Sequence, residues 1–238
     1  MRRFSLTILL FVLLSVVNIG KTLAAEPALH YLVREPKVKT ANPPLLILMH
    51  GVNSNEQDLF SLADQLPDKY LVISAQGPYK LSGNGYAWYH ADFSVSPAII
   101  NKEEAEKTRE LIITFIGQLK GKYKFDESKV FLCGFSQGAI MSYSVGLTHP
   151  DKIRGIAVMS GRILDEVKPK VVADKQLKQL NVFISHGTND KVLAVQQARD
   201  ANLYLARMGV YATYKEYVDG HTINREMFGD LVDWLNKQ

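Results

Sequence analysis

Several short runs in this chain are apolar almost throughout: residues 45–49, 70–74, 130–133, 156–159 and 182–185. A strand with one face in water alternates apolar and polar side chains, so an unbroken run demands cover on both faces. Between the runs lie patterns with the period of a helix. Leu111, Ile112, Phe115 and Leu119 share one helical face after a start signal at Asn101 and Glu104. Val195, Ala198, Ala201, Leu205 and Met208 mark a second such face. Strands and helices in alternation predict an α/β fold with a mostly parallel central sheet and helices on both faces. Chemistry in such sheets collects in the loops at the carboxyl ends of the strands.

The remaining segments read less distinctly. A lead-in containing Pro36, Pro43 and Pro44 precedes the first strand. Ser54 and Gln57 resemble a capping box that opens a helix to Leu66. Residues 77–97 read as a loop rich in glycine and aromatics. Residues 162–179 read as a polar, Lys-rich loop with a short helix, which could serve as a lid. A helix from 137 to 147, a strand at 213–218 and a helix at 224–235 complete the series. No repeat or interdomain linker appears, and 238 residues suit one domain.

The first 25 residues are unlike the rest. Arg2 and Arg3 precede an apolar stretch from Phe4 to Ile19, and small residues follow at Ala24 and Ala25. This is the pattern of a cleaved signal peptide, with residues 26–238 as the exported domain. The stretch is short of the roughly 20 apolar residues a membrane-spanning helix needs, so an uncleaved anchor is the second choice. Removing Arg2, Arg3 and Lys21, with no acids among them, takes the formal charge from +4 to +1. The basic balance therefore belongs to the export signal and does not point to nucleic acid. The single cysteine, Cys133, excludes an internal disulfide and sits in a strand-like run, where a buried thiol is expected. The His and Cys spacings match no metal motif, and no Gly-rich phosphate loop is present, so no metal or cofactor is expected.

Gly134-Phe135-Ser136-Gln137-Gly138 follows a strand and precedes an apolar helix. G-x-S-x-G in that setting is the nucleophile elbow, which holds a serine in a strained backbone at the sheet edge. Elsewhere the same five residues would read as a simple turn. A serine hydroxyl needs a base, and in this arrangement the acid and then the histidine follow it along the chain. His149, His186 and His221 qualify by order. His149 reads as a helix-end residue, and His186 as one packed beneath the site. His221 follows the last strand and is the expected base. Asp190, in the loop after the 182–185 strand, is the expected acid, against rivals Asp165, Glu166 and Asp219. The backbone N–H groups of Gln137 and Val52 are nominated as the oxyanion donors. Tyr86-Ala87-Trp88-Tyr89-His90 reads equally as core or as pocket lining, with Trp88 the candidate substrate contact.

Leu48-Met49-His50-Gly51, Ala87-Trp88-Tyr89, the elbow, Met159-Ser160-Gly161, His186-Gly187-Thr188-Asn189-Asp190 and Gly220-His221-Thr222 run in one order across residues 45–238. In this the chain resembles the phospholipase/carboxylesterase family, which includes the acyl-protein thioesterases. The resemblance implies an α/β-hydrolase fold and a cofactor-free serine esterase acting on short carboxylic esters, acyl thioesters or lysophospholipids. Two positions depart from the family pattern. Val52-Asn53-Ser54-Asn55 stands where a Gly-Asp pair is frequent, and Ala139 stands where a third glycine is frequent. The expected partner is a small-molecule ester, with no nucleic acid and no stable membrane span in the mature chain. A serine peptidase on the same fold and a non-catalytic binding module are the competing readings.

Overall fold

The structure is a computed structural model and describes residues 26–95, 98–172 and 175–238. The expected export signal at residues 1–25 lies outside the described residues. Seven strands form one sheet: β1 (Tyr31–Arg34), β2 (Pro44–Met49), β3 (Leu71–Ala75), β4 (Asp126–Phe135), β5 (Gly155–Met159), β6 (Asn181–Gly187) and β7 (Thr213–Tyr217). Their order is β1-β3-β2-β4-β5-β6-β7. β1 is antiparallel to β3, and every other neighbouring pair is parallel. The helices are α1 (Gln57–Phe60), α2 (Lys102–Leu119), α3 (Gln137–Thr148), α4 (Val195–Arg207) and α5 (Arg225–Asn236).

The unbroken apolar runs are explained by two separate cores. Leu45, Ile47 and Met49 of β2 point to one face, where they join buried side chains of α2, α3 and α4. Leu46 and Leu48 point to the other and join Leu59 of α1 with Met227, Leu231 and Trp234 of α5. Successive residues on a strand face opposite ways, so a sheet covered on both sides needs both sets apolar. The register pairs Met49 with Gly134, Phe135 with Met159, and Met159 with Ser185. The carboxyl ends of β2, β4, β5 and β6 are therefore level, and the loops that follow them share one edge.

Helix starts follow the sequence where a cap exists. The Asn101 side chain accepts the Glu104 N–H at 3.1 Å, and that of Asn224 accepts the Met227 N–H at 2.8 Å. Each such cap contributes about 1 kcal/mol.

The structure corrects three expectations. Ser54 does not open a helix to Leu66. Its backbone bridges Tyr86, the Asn55 side chain takes the Gln57 N–H instead, and only the four-residue α1 and a 3₁₀ turn at Ala63–Gln65 form. The Pro-containing lead-in holds the edge strand β1. Residues 77–97 are not plain loop. Tyr79–Lys80 pairs with Tyr86–Ala87, and Ala91–Asp92 pairs with Ile99–Ile100. The Lys-rich stretch from 162 carries two 3₁₀ turns, and Ile163, Leu164, Val167 and Leu177 anchor it in the core. No helix among the described residues is long and apolar enough to cross a membrane.

Candidate active site

Ser136 stands between β4 and α3 with φ 52° and ψ −114°. That left-handed φ is a strained backbone for a serine, sustained by the close approach of helix to sheet. A Cβ on Gly138 would lie 2.1 Å from the Met49 carbonyl oxygen, and one on Gly134 would lie 2.3 Å from the Gly138 carbonyl carbon. Both elbow glycines are therefore obligatory. The Ser136 N–H donates to the Met159 carbonyl at 2.9 Å, which fixes the turn to the next strand.

The other two expected residues come to this serine from more than 50 positions away along the chain. The Ser136 hydroxyl donates to His221 Nε2 at 2.9 Å, and His221 Nδ1–H donates to Asp190 Oδ2 at 2.7 Å. With a carboxylate at Nδ1, the proton belongs there and Nε2 is left as the acceptor. Asp190 is itself held: its Oδ1 accepts the N–H groups of Val192 and Leu193 at 2.8 and 2.9 Å. Its side chain is wholly shielded from solvent. The His221 ring also packs against Phe135, with centroids 4.9 Å apart.

Of the rival acids, Asp219 and Asp165 are occupied elsewhere, and Glu166, which makes no hydrogen bond to His221, keeps one buried oxygen without a partner among the described residues. Asp219 accepts the Gly220 N–H and the Asn224 amide, shaping the turn that carries His221. Asp165 pairs with Lys168 at 2.6 Å. His149 ends α3, and burial lowers its pKa. His186 is buried beneath the site, with Nε2 donating to the Leu193 carbonyl at 2.7 Å and lying 3.2 Å from Asp190. It thereby closes the loop that carries the acid. His50 is buried too. Its Nδ1–H donates to the Gly51 carbonyl and its Nε2 accepts the Gly77 N–H, while desolvation lowers its pKa and keeps it neutral. Burial pushes the Cys133 thiol up to about 12.

Val52 and Gln137 both line the cleft above Ser136. Among the described residues, neither backbone N–H has a protein acceptor. Two free donors beside the Ser136 hydroxyl, one at the amino end of the twelve-residue α3, suit a negatively charged oxygen.

Trp88 is not brought to the cleft. It is fully buried, and its Nε1–H donates to the His50 carbonyl at 2.9 Å. Its neighbour Tyr89, in the bend that follows the Tyr86–Ala87 strand, lines the cleft instead. The side chain of Gln137 is a second feature the sequence did not disclose. Its Oε1 accepts the Trp88 N–H and its Nε2 donates to the Tyr89 carbonyl, both at 2.7 Å. One residue thus offers a backbone donor to the cleft and clamps the aromatic segment that walls it.

The cleft has a volume of about 840 Å³ and is lined mainly by apolar side chains, including Phe93, Ile100, Phe135 and Ile140. No group of three or more potential metal-ligating side chains exists among the described residues.

A parallel sheet carrying a glycine-flanked serine at a strand-to-helix elbow defines an α/β-hydrolase fold. The chain belongs to the phospholipase/carboxylesterase family, whose sequence profile matches residues 30–238. It is 32% identical over 110 residues to a probable carboxylesterase SOBER1-like protein of Arabidopsis thaliana, covering 46% of this chain and 42% of that one. It is 28% identical over 157 residues to acyl-protein thioesterase 1 of Kluyveromyces lactis, covering 63% and 68%. The crystal structure of esterase PE8 superposes with a TM-score of 0.77 at 25% identity, covering 88% of this chain and 98% of that one. The chain spans less than half the length of several curated relatives it matches.

Proposed function

We infer that this protein is a serine hydrolase that cleaves carboxylic esters or thioesters through an acyl-enzyme. One observation carries the reading: the unbroken line from Ser136 through His221 to Asp190, at 2.9 and 2.7 Å, on the floor of a mostly apolar cleft. Ser136 Oγ attacks the carbonyl carbon as its proton passes to His221 Nε2. Asp190 holds the imidazole in place and stabilises the imidazolium that forms. The N–H groups of Val52 and Gln137 receive the negative charge on the carbonyl oxygen. The alcohol or thiol leaves with the proton from Nε2. Water then attacks the acyl-enzyme, gives a proton to the same nitrogen and releases the acid, and Oγ regains its proton. Residues 1–25 would direct the protein out of the cytoplasm before this chemistry begins.

The test is hydrolysis of 4-nitrophenyl acetate and butyrate beside aminoacyl anilides, with a fluorophosphonate probe mapped by mass spectrometry. Ester cleavage that exceeds anilide cleavage, with a single adduct on Ser136, is expected. Absence of an adduct on well-folded protein would sink the reading. For the export proposal, the amino terminus of the protein recovered from outside the cytoplasm is expected near residue 26. An intact residue 1 in that fraction counts against it.

A further inference from the structure

The charges along the cleft are unevenly matched. Among the described residues, Arg162, Lys191 and Asp190 are the charged side chains that line it, apart from His221. The Asp190 carboxylate is shielded and committed to His221, Val192 and Leu193. The charge that faces an incoming molecule is therefore positive.

Arg162 stands out from the other bases. It follows Ser160 and Gly161 on the loop after β5, the strand whose Met159 carbonyl anchors Ser136. Its side chain borders both the 840 Å³ cleft and a neighbouring cleft of about 400 Å³. It is half-buried, yet among the described residues it makes no ion pair or hydrogen bond. Asp165 is near enough to feel its charge but is paired with Lys168. A guanidinium carries five N–H donors in a planar fork that fits carboxylate and phosphate oxygens two at a time. Holding one partly desolvated beside an apolar wall with no carboxylate in hydrogen-bond contact is costly. Gln197 lies on the same boundary, and its side-chain oxygen is shielded and unpartnered. Its NH₂ makes no hydrogen bond among the described residues and is free to donate to an anion.

We propose that the cleft selects esters bearing a carboxylate or phosphate group, and that Arg162, with Gln197 beside it, is the residue pair that reads the anion. The proposal rests on the esterase reading and adds to it the chemical class of the substrate. The anion belongs to the acyl or the alcohol portion, whichever extends from Ser136 toward the shared boundary.

The experiment compares kcat/KM for matched esters. Mono-4-nitrophenyl glutarate against 4-nitrophenyl butyrate tests the acyl side. 4-Acetoxybenzoate and 4-acetoxyphenyl phosphate against phenyl acetate test the alcohol side. At least one anionic ester is expected to be favoured over its neutral partner. Arg162→Gln is expected to lower that anionic-to-neutral ratio about tenfold, mainly through KM, as loss of a charge-assisted hydrogen bond does. Arg162→Lys keeps part of the preference, and Lys107→Gln, which removes one remote exposed charge paired with Glu103, leaves the ratio as in the parent. Neutral esters cleaved with no preference in any arm, or a ratio untouched by Arg162→Gln, would overturn this inference and leave the esterase reading standing. No ester cleaved and no fluorophosphonate adduct would overturn both.

Discussion

Two serines stand at the ends of adjacent strands in the same backbone posture. Ser136 closes β4 and Ser160 closes β5, each with φ 52°. Each donates its N–H to a carbonyl of the next strand over, Met159 of β5 and Ser185 of β6, both at 2.9 Å. Their surroundings then diverge. Ser136 opens α3, keeps slight exposure to the cleft and meets His221. Ser160 is followed by no helix, has no exposure, and its hydroxyl has no partner. A Cβ added to Gly161 would lie 2.7 Å from that of Ala139, so the second turn packs under the first turn of α3. A strained turn is thus insufficient for a nucleophile. A helix start, free amides and a histidine within hydrogen-bond reach separate the serine proposed to react from one that wedges its neighbour in place.

Ser136→Ala breaks the contrast most severely. It should reduce ester turnover by about 10⁵-fold or more, measured as kcat under saturating substrate. Asp190→Asn should follow at about 10⁴-fold, because an amide at Nδ1 favours the wrong imidazole tautomer. Residual activity near the parent level in either variant would mean that the line of hydrogen bonds is not the reacting group. Gln137→Leu removes both bonds to the aromatic segment and leaves the buried Trp88 N–H and Tyr89 carbonyl unpaired. A loss of about 1–3 kcal/mol in urea unfolding is expected.

Cys133 sharpens the contrast as a buried thiol on β4, three residues before Ser136. With its thiol held up at about 12 and fully enclosed, it should resist iodoacetamide at pH 8 under conditions where fluorophosphonate consumes Ser136. Rapid native alkylation would show that β4 opens. The smallest effect is expected for Ser160→Ala, which keeps the turn and deletes an unpartnered hydroxyl. Turnover should stay within about twofold and stability within about 1 kcal/mol. A large loss would show that the second serine takes part in the chemistry.

The sheet was legible because burial on both faces leaves a signal in every residue of a strand, as in Leu45, Leu46, Ile47 and Leu48. β1 left none. It is an edge strand with Val33 exposed and Arg34 folded back on the Pro67 carbonyl, so its pattern matched no template. The Ser54 start signal was real in composition, but pairing with Tyr86, 32 residues away, outcompeted the local cap. Ser136, Asp190 and His221 could be placed from chain order and strand ends alone, since the fold levels those ends. Trp88 could not, because an aromatic run looks the same whether a given ring faces a wall or a cavity. The Gln137 clamp and the solitary Arg162 depend on contacts across the molecule, which no local spacing records.

The approach of Gly138 to the Met49 carbonyl has a consequence for timing. It seats the first turn of α3 on the end of β2, so the amides of Gln137 and Val52 are set relative to each other when the chain folds. Donors fixed in advance have nothing left to rearrange as charge gathers on a bound carbonyl. Warming that loosens this one seam should therefore dull turnover several degrees before the sheet melts, and an activity curve that tracks the melting curve point for point would argue against it.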